Sequence, residues 1–217
     1  LGNTLTTPHH LGMKFDAIVS NPPYSKSWEG KNNTILINDV RYSPAGVLAP
    51  IQRSDLAFTM HMLYHLSETG TCAIVEFPGV LYRGGAEKKI REYLIKNNFV
   101  DTVIQLPANL FFGVGIATCI IVIKKNKKDN NILFVDASGE CEKKGDKNKL
   151  EDENQNRIVN AYQERKEEQY FTKLVSNDEV LANGANLSVS SYVEKEDKRE
   201  VIDIVALNEE IEALSKD

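Results

Sequence analysis

The residues Asn21-Pro22-Pro23-Tyr24 combine side-chain and backbone groups that can do chemistry. The side-chain oxygen of Asn21 and the backbone carbonyl of Pro22 are two hydrogen-bond acceptors close together in the chain. Each proline fixes its own φ and has no N–H, and Pro23 also restricts Pro22, so the acceptors are held in place. Two fixed acceptors that bind the two hydrogens of a conjugated amine favour a tetrahedral nitrogen, which makes that amine a better nucleophile.

The aromatic ring of Tyr24 adds a second property to this motif. It offers a flat face on which a base removed from a duplex can stack, replacing part of the stacking that is lost. Acceptors and ring together indicate methyl transfer to an exocyclic amine, with no ionised general base. The alternative interpretation is a simple turn, because Asn-Pro often ends a strand.

The elements around the motif alternate between short apolar runs and segments of helical spacing. This order predicts a mostly parallel sheet with helices on both faces. The third and fourth strands are joined by only Pro107 to Ala117, which predicts that they pair antiparallel. The predicted strands are Phe15–Ser20, Thr71–Phe77, Val100–Leu106 and Thr118–Lys124, and the predicted helices are Asp55–Leu66, which Gly70 would end, and Glu87–Asn97.

The composition changes after residue 126, so residues 127–217 are interpreted as a C-terminal extension. It is predicted to contain a short strand at Ile132–Val135, a mobile polar loop over Gly139–Asn156 and a helix over Arg157–Glu168. Ser176 to Glu179 has the form of a capping box that opens a short helix. Apolar residues from 201 to 214 recur every three or four positions and predict a terminal helix, which packs on its own domain or docks to a partner.

Composition limits the class of protein. The net charge is -5, so any contact with nucleic acid should be local or supplied by a partner. No apolar run reaches the roughly 20 residues that cross a bilayer, and we expect a cytoplasmic protein without membrane contact. The three cysteines form no CxxC pair and are predicted to be free thiols. His61 and His65 have a spacing that can bind a metal, but no third ligand is evident, so no metal site is predicted.

Longer segments of the sequence resemble a known family. The chain contains FDAIVSNPPY, GVLYRGGAEKKIREYL, LPANLFFGVGIATCIIVI and ANLSVSSYV, and these resemble the modification (M) subunit of type I restriction-modification systems. The resemblance spans nearly the whole chain. It implies the α/β, Rossmann-like fold of S-adenosylmethionine-dependent methyltransferases and adenine-N6 methylation of DNA. It also implies S-adenosylmethionine as methyl donor, and assembly with specificity and restriction subunits and a second copy of the M subunit.

The resemblance also assigns roles to residues. It gives Asn21 and Pro22 the task of polarising the adenine amine, and Tyr24 that of stacking on the flipped base. Phe112, in the connection between the third and fourth predicted strands, would bracket the base from the other side. A phenylalanine at that position is equally well explained as a plug at the edge of the sheet.

Two features that such methyltransferases use to hold the donor are not found in the sequence: a glycine-rich turn after the first strand and an acidic residue after the second. A cofactor-binding glycine loop follows a strand and opens a helix, whereas Gly113-Val114-Gly115 precedes a predicted strand. Gly2-Asn3-Thr4-Leu5 resembles the Gly-Asp-Thr-Leu segment upstream of the motif in the family. We therefore expect residues 1–126 to be the C-terminal half of the catalytic domain, with the strand Phe15–Ser20 at a sheet edge, and the whole chain to be inactive alone.

Three other functions remain compatible with the motif. A protein-glutamine methyltransferase meets the same electronic problem in a side-chain amide, and a guanine or cytosine amine could be the target. An assembly module without catalysis could use the extension to bind a specificity subunit.

Arg83, in the Arg-Gly-Gly segment, could contact phosphate or only solvent.

Overall fold

The computed structural model describes residues 2–196, apart from Phe112 and Val114. The predicted helix beyond residue 200 lies outside this part of the chain. Within it the strands are β1 Phe15–Ser20, β2 Leu66–Glu76, β3 Val100–Gln105, β4 Cys119–Lys124, β5 Asn131–Asp136, β6 Glu142–Lys144, β7 Lys147–Lys149 and β8 Thr172–Ser176. The α-helices in the same part are α1 Asp55–His65, α2 Ala86–Lys96, α3 Asp152–Glu164 and α4 Asn177–Ala182.

Six of these strands form one sheet in the order β1-β2-β4-β3-β5-β8. β1 pairs parallel with β2, and β3 pairs parallel with β5. β4 lies between β2 and β3 and is antiparallel to both, which confirms the predicted antiparallel pairing of the third and fourth strands. β1 is an outer strand of this sheet, as expected, and the side chain of Val19 on it is 87% exposed.

Helices pack on both faces of the sheet. On one face, apolar side chains of α1, α2 and α4 form the main core with the inward residues of the strands, and Phe134 of β5 stacks on Tyr192 at 4.3 Å between ring centroids. On the other face, Ile158 of α3 packs with Leu133 and Val135 of β5 in a smaller cluster. The mostly parallel α/β architecture predicted from the alternation of elements is confirmed.

The prediction that Gly70 ends the first helix is wrong. Helix α1 ends at His65, and β2 begins at the next residue, so Gly70 lies inside the strand. A Cβ atom on Gly70 would lie 2.7 Å from Leu66 Cδ1 and 2.9 Å from the Phe15 carbonyl oxygen. The pairing of β1 with β2 also shifts register between Phe15 and Ala17. The glycine is therefore needed for a close backbone approach at this irregularity.

The prediction of a mobile loop over Gly139–Asn156 is also wrong. β6 and β7 form a hairpin, and α3 begins at Asp152, five residues earlier than predicted. The hairpin bonds to the β3–β4 connection: the Asn148 side chain donates to the Ala108 carbonyl at 2.8 Å, and its backbone N–H donates to the Asn109 carbonyl at 3.1 Å. These contacts between distant segments order a stretch whose own composition is almost entirely polar.

The chain after residue 126 continues the same sheet. β5 matches the short strand predicted at Ile132–Val135, and β8, which was not predicted, adds a second reversed strand to the single one expected. The Ser176 hydroxyl accepts the N–H of Glu179 at 3.2 Å at the start of α4, as its capping pattern predicted. The division of the chain at residue 126 stays a prediction.

Candidate active site

The Asn21–Tyr24 motif lies directly after β1, at the carboxyl end of the strand. Asn21 is exposed, Pro22 is buried and Tyr24 is partly buried. The Tyr24 hydroxyl donates a hydrogen bond of 2.7 Å to Asn21 Oδ1, which fixes the orientation of the amide. Nothing in the described part of the chain donates a hydrogen bond to the Pro22 carbonyl. Both predicted acceptors are therefore in place at the end of one strand.

The segment after the motif is held against the start of α1. Asp55, the first residue of α1, accepts the backbone N–H of Ser25 at 2.8 Å. Next to it, the Ser54 N–H donates to the Lys26 carbonyl at 3.0 Å, and the Trp28 N–H donates to the Ile51 carbonyl at 2.9 Å. The motif is thus fixed by β1 on one side and by these bonds on the other.

Three buried carboxyl groups lie close together behind the motif, on Asp55, Glu76 and Glu87. Glu76, the last residue of β2, is fully buried, and its Oε1 accepts the Thr59 hydroxyl at 2.7 Å. Burial, with the neighbouring charges of Asp55 and Glu87, raises the pKa of Glu76 to about 8. The side chain is therefore mostly protonated at neutral pH.

The cluster of buried carboxyl groups lies close enough to Tyr24 to affect the pKa of its hydroxyl. Partial burial, with the nearby Glu76 and Cys119, raises the pKa of the Tyr24 hydroxyl. The phenol therefore keeps its proton and remains a donor to Asn21. Sequence reasoning missed Asp55 and Glu76 as parts of the site, although a single acidic residue inside the apolar run TCAIVEF was a usable signal for Glu76.

Two other residues were considered for the site from the sequence, Phe112 and Arg83. Phe112 is not among the described residues. Its neighbour Phe111 is partly buried and packs against the smaller core cluster, in keeping with a structural role for that ring. Arg83 forms an ion pair with Glu87 at 3.5 Å and lies over the Phe77 ring, so its guanidinium is already engaged within the chain.

The two histidines of α1 make contacts of their own. Arg41 Nη1 lies 3.0 Å from His61 Nδ1, and because arginine only donates, that nitrogen accepts the bond. Burial, with the nearby His65 and Arg41, lowers the pKa of His61 to about 4. His65 Nδ1 lies 3.0 Å from the Met13 carbonyl. Among the described residues, no group of three or more potential ligands is placed to hold a metal ion.

Two segments bear on the binding of a nucleoside-containing methyl donor. Glu76, the carboxyl at the end of β2, has no exposed surface, so it is not available to bind a ribose. Gly113 lies between two antiparallel strands, so it does not connect a strand to a helix. Neither segment therefore supplies a donor site of this kind.

A comparison with protein families matches residues 1–201 to the model described as N-6 DNA Methylase. The chain belongs to the N-6 DNA methylase family. The methylase subunit of the type I restriction enzyme MpnII of Mycoplasma pneumoniae is 47% identical over 221 residues, covering 98% of this chain and 41% of that protein. The MjaVII methylase subunit of Methanocaldococcus jannaschii is 32% identical, covering 100% and 39%.

Solved structures agree with this assignment of the N-6 DNA methylase chain. The methyltransferase subunit of the type I restriction-modification system from Streptococcus thermophilus superposes with a TM-score of 0.84 at 40% identity, over 88% of this chain and 41% of the other. The EcoKI M protein shares the fold with a TM-score of 0.69 at 19% identity, over 99% and 51%. The chain spans about two fifths of the length of the two curated relatives named above.

None of its described helices is long and apolar enough to cross a bilayer.

Proposed function

We propose that this chain carries the base-activating part of a DNA adenine-N6 methyltransferase, the modification subunit of a type I restriction-modification system. The observation that carries the proposal is the motif after β1, where the Tyr24 hydroxyl orients Asn21 Oδ1 and no residue that the structure describes donates to the Pro22 carbonyl. Membership of the N-6 DNA methylase family and the names of the relatives support it.

In this proposal the two hydrogens of the adenine amine bind to Asn21 Oδ1 and to the Pro22 carbonyl oxygen. The Asn21 oxygen has two lone pairs, so it can accept from the amine while Tyr24 still donates to it. These bonds draw the amine toward a tetrahedral geometry and return its lone pair to the nitrogen. The nitrogen would then bond to the methyl group of a sulfonium donor as the methyl–sulfur bond breaks, a neutral thioether would leave, and the methylated nitrogen would release one proton to solvent. The Tyr24 ring stacks on the extruded base, and Phe112 is proposed to bracket it.

We propose this activity for a protein as long as the relatives. This chain matches about two fifths of that length. S-adenosylmethionine is the proposed donor, as membership of a methyltransferase family implies. We propose that this chain alone does not methylate, and that residues 127–217 serve subunit association. The proposed partners are DNA, a specificity subunit, a restriction subunit and a second copy of the M subunit, in the cytoplasm.

The test measures methyl transfer to DNA by a protein that contains this sequence and is as long as the relatives, together with its specificity subunit. Digestion of the DNA to nucleosides and mass spectrometry should show N6-methyldeoxyadenosine. Asn21→Ala should lower the rate about 100-fold or more, because a fixed hydrogen-bond partner of the reacting group is lost. Asn97→Ala, at the exposed C-terminal end of α2, is the matched control and should leave the rate unchanged.

The Tyr24 variants separate the ring from the hydroxyl. Tyr24→Phe keeps the stacking face and loses one hydrogen bond, so the rate should fall by roughly 2- to 10-fold. Tyr24→Ala also loses the stacking, worth about 1–3 kcal/mol per base, and should fall considerably further. Methyl groups found on a protein glutamine, or on cytosine or guanine, with none on adenine, would contradict the proposal.

A further inference from the structure

The residue that follows the motif has an unusual backbone conformation. Ser25 has a φ of +49°, in the left-handed region that residues with a Cβ atom rarely adopt. The chain turns there from the end of the motif toward Lys26 and the start of α1. Such a conformation persists only where surrounding contacts hold it.

The contact that holds it is a buried carboxylate. Asp55 is 1% exposed, and its Oδ1 accepts the Ser25 N–H at 2.8 Å. Asp55 is the first residue of α1, where the partial positive charge of the helix N-terminus favours an acidic side chain. Its other oxygen, Oδ2, has no hydrogen-bond partner in the described part of the chain and is buried beside the carboxyl groups of Glu76 and Glu87.

A buried carboxylate oxygen without a partner is unfavourable for stability. An alanine at position 55 would remove this cost. What it could not supply is the acceptor for the Ser25 N–H. Because that N–H is one residue from Tyr24, its position sets where the motif ends and where the aromatic ring lies.

We infer that Asp55 is a positioning residue for the Asn21–Tyr24 motif, acting through the backbone N–H of Ser25 to hold the turn in its left-handed form. The inference rests on the proposed function, because what is positioned is the proposed acceptor pair and stacking ring. Asp55 does not touch the substrate in this scheme. It fixes the geometry of the residues that do.

Four variants test this inference: Asp55→Ala, Asp55→Asn, Asp55→Ala with Ser25→Gly, and Asp178→Ala as the matched control. Asp178 is an exposed aspartate in the first turn of α4, so its replacement reproduces the loss of a helix N-terminal charge away from the motif. Asp55→Asn keeps an oxygen that can accept the Ser25 N–H. Glycine adopts a positive φ without a steric penalty. Ser25→Gly therefore removes the backbone strain at position 25, so the turn depends less on the bond from Asp55.

The first measurement is hydrogen exchange of the Ser25 amide in this chain, which needs no enzymatic activity. Asp55→Ala should accelerate exchange at Ser25 at least tenfold while the amides of β2 and β4 keep their protection. Asp55→Asn and Asp178→Ala should change exchange at Ser25 by less than threefold. Unchanged exchange in Asp55→Ala would overturn the inference, whether or not the proposed function is correct.

The second measurement is methyl transfer by the protein of full relative length. Asp55→Ala should lower kcat about 10- to 100-fold, since a misplacement of the order of 1 Å at a reacting group costs about 100-fold. Asp55→Asn should recover most of the rate, and Ser25→Gly in the Asp55→Ala background should recover about fivefold. A loss that follows the melting temperature and that neither variant rescues would show a merely structural role. A wild-type protein inactive on DNA but with the exchange pattern above would refute the proposed function alone.

Discussion

Replacing Glu76 by glutamine should stabilise the fold by an amount that grows as the pH rises. Glu76 is fully buried at the end of β2, and its Oε2 has no hydrogen-bond partner within the described residues. Burial first, and then the charges of Asp55 and Glu87, raise its pKa from 4.5 to about 8, while the bond from Thr59 opposes this. A glutamine keeps the oxygen that accepts the Thr59 hydroxyl and carries no titratable proton.

The sign follows from where the proton is bound. Below pH 4.5 the carboxyl is protonated in both the folded and the unfolded chain, so it adds no pH dependence. Between pH 4.5 and 8 the folded chain keeps the proton and the unfolded chain loses it, so stability falls as the pH rises. Each pKa unit corresponds to about 1.4 kcal/mol, so the whole pKa difference corresponds to about 5 kcal/mol above pH 8.

The assay is urea denaturation of the wild-type chain and of Glu76→Gln at intervals from pH 5 to pH 9. The difference in the free energy of unfolding should grow in favour of the variant across this range, approaching about 5 kcal/mol. Other groups also titrate, among them His61, whose lowered pKa destabilises the fold as the pH falls below about 6.5. Groups that do not interact with Glu76, such as His61, are common to both proteins and cancel in the difference.

Glu153→Gln is the matched control, because Glu153 is an exposed glutamate on α3. Its difference from the wild type should be small and nearly constant with pH. A Glu76→Gln curve parallel to that of the wild type would show that the carboxyl is ionised and solvated in the folded chain. The account of a protonated acid behind Tyr24 would then be wrong.

Three further predictions concern the core, the hairpin and the thiols. Phe134→Ala should lower the free energy of unfolding by about 3–5 kcal/mol in urea denaturation, because the ring is fully buried and stacked on Tyr192. Asn148→Ala should speed amide exchange in the β3–β4 connection at least tenfold, because the side-chain bond to the Ala108 carbonyl is lost. A maleimide should modify Cys141 at least 100 times faster than the two other cysteines, which are buried.

Each of these has an outcome that would contradict it. A Phe134→Leu variant should be clearly less damaging than the alanine, and equal losses would mean that the ring does not fill the core. Exchange in the β3–β4 connection should be unaffected by Asn156→Ala, and an equal change there would remove the hairpin from the explanation. Equal modification rates for all three thiols in the folded chain would contradict their burial.

Much of the fold could be predicted because local pattern and tertiary environment agree. The apolar run that became β4 and the helical spacing of α1 correspond to buried positions in the structure. The run that became β1 forms the expected strand, but its residues are exposed or only partly buried. The antiparallel direction of β4 followed from the length of its connection alone. At the motif, the placement of Asn21 after a strand followed from Asn-Pro-Pro ending an apolar run.

What could not be predicted depends on contacts between distant segments. β6 and β7 contain Glu-Lys-Lys and Lys-Asn-Lys, which have no apolar alternation, and their order comes partly from bonds to the β3–β4 connection. Gly70 resembles a helix end, yet it serves the close approach of β1 to β2. The bond from Ser25 to Asp55 joins residues thirty positions apart, and a serine gives no sign of a positive φ.

The placement of β4 has a consequence for how the chain reaches its native state. β4 follows β1, β2 and β3 in the sequence, yet it lies between β2 and β3 in the sheet. The two flanking strands cannot join through backbone bonds until residues 119–124 have left the ribosome and entered between them. We therefore expect nascent chains stopped before residue 119 to expose three strand edges that the folded sheet pairs, one on β2 and both on β3, and to need a chaperone until the missing strands arrive.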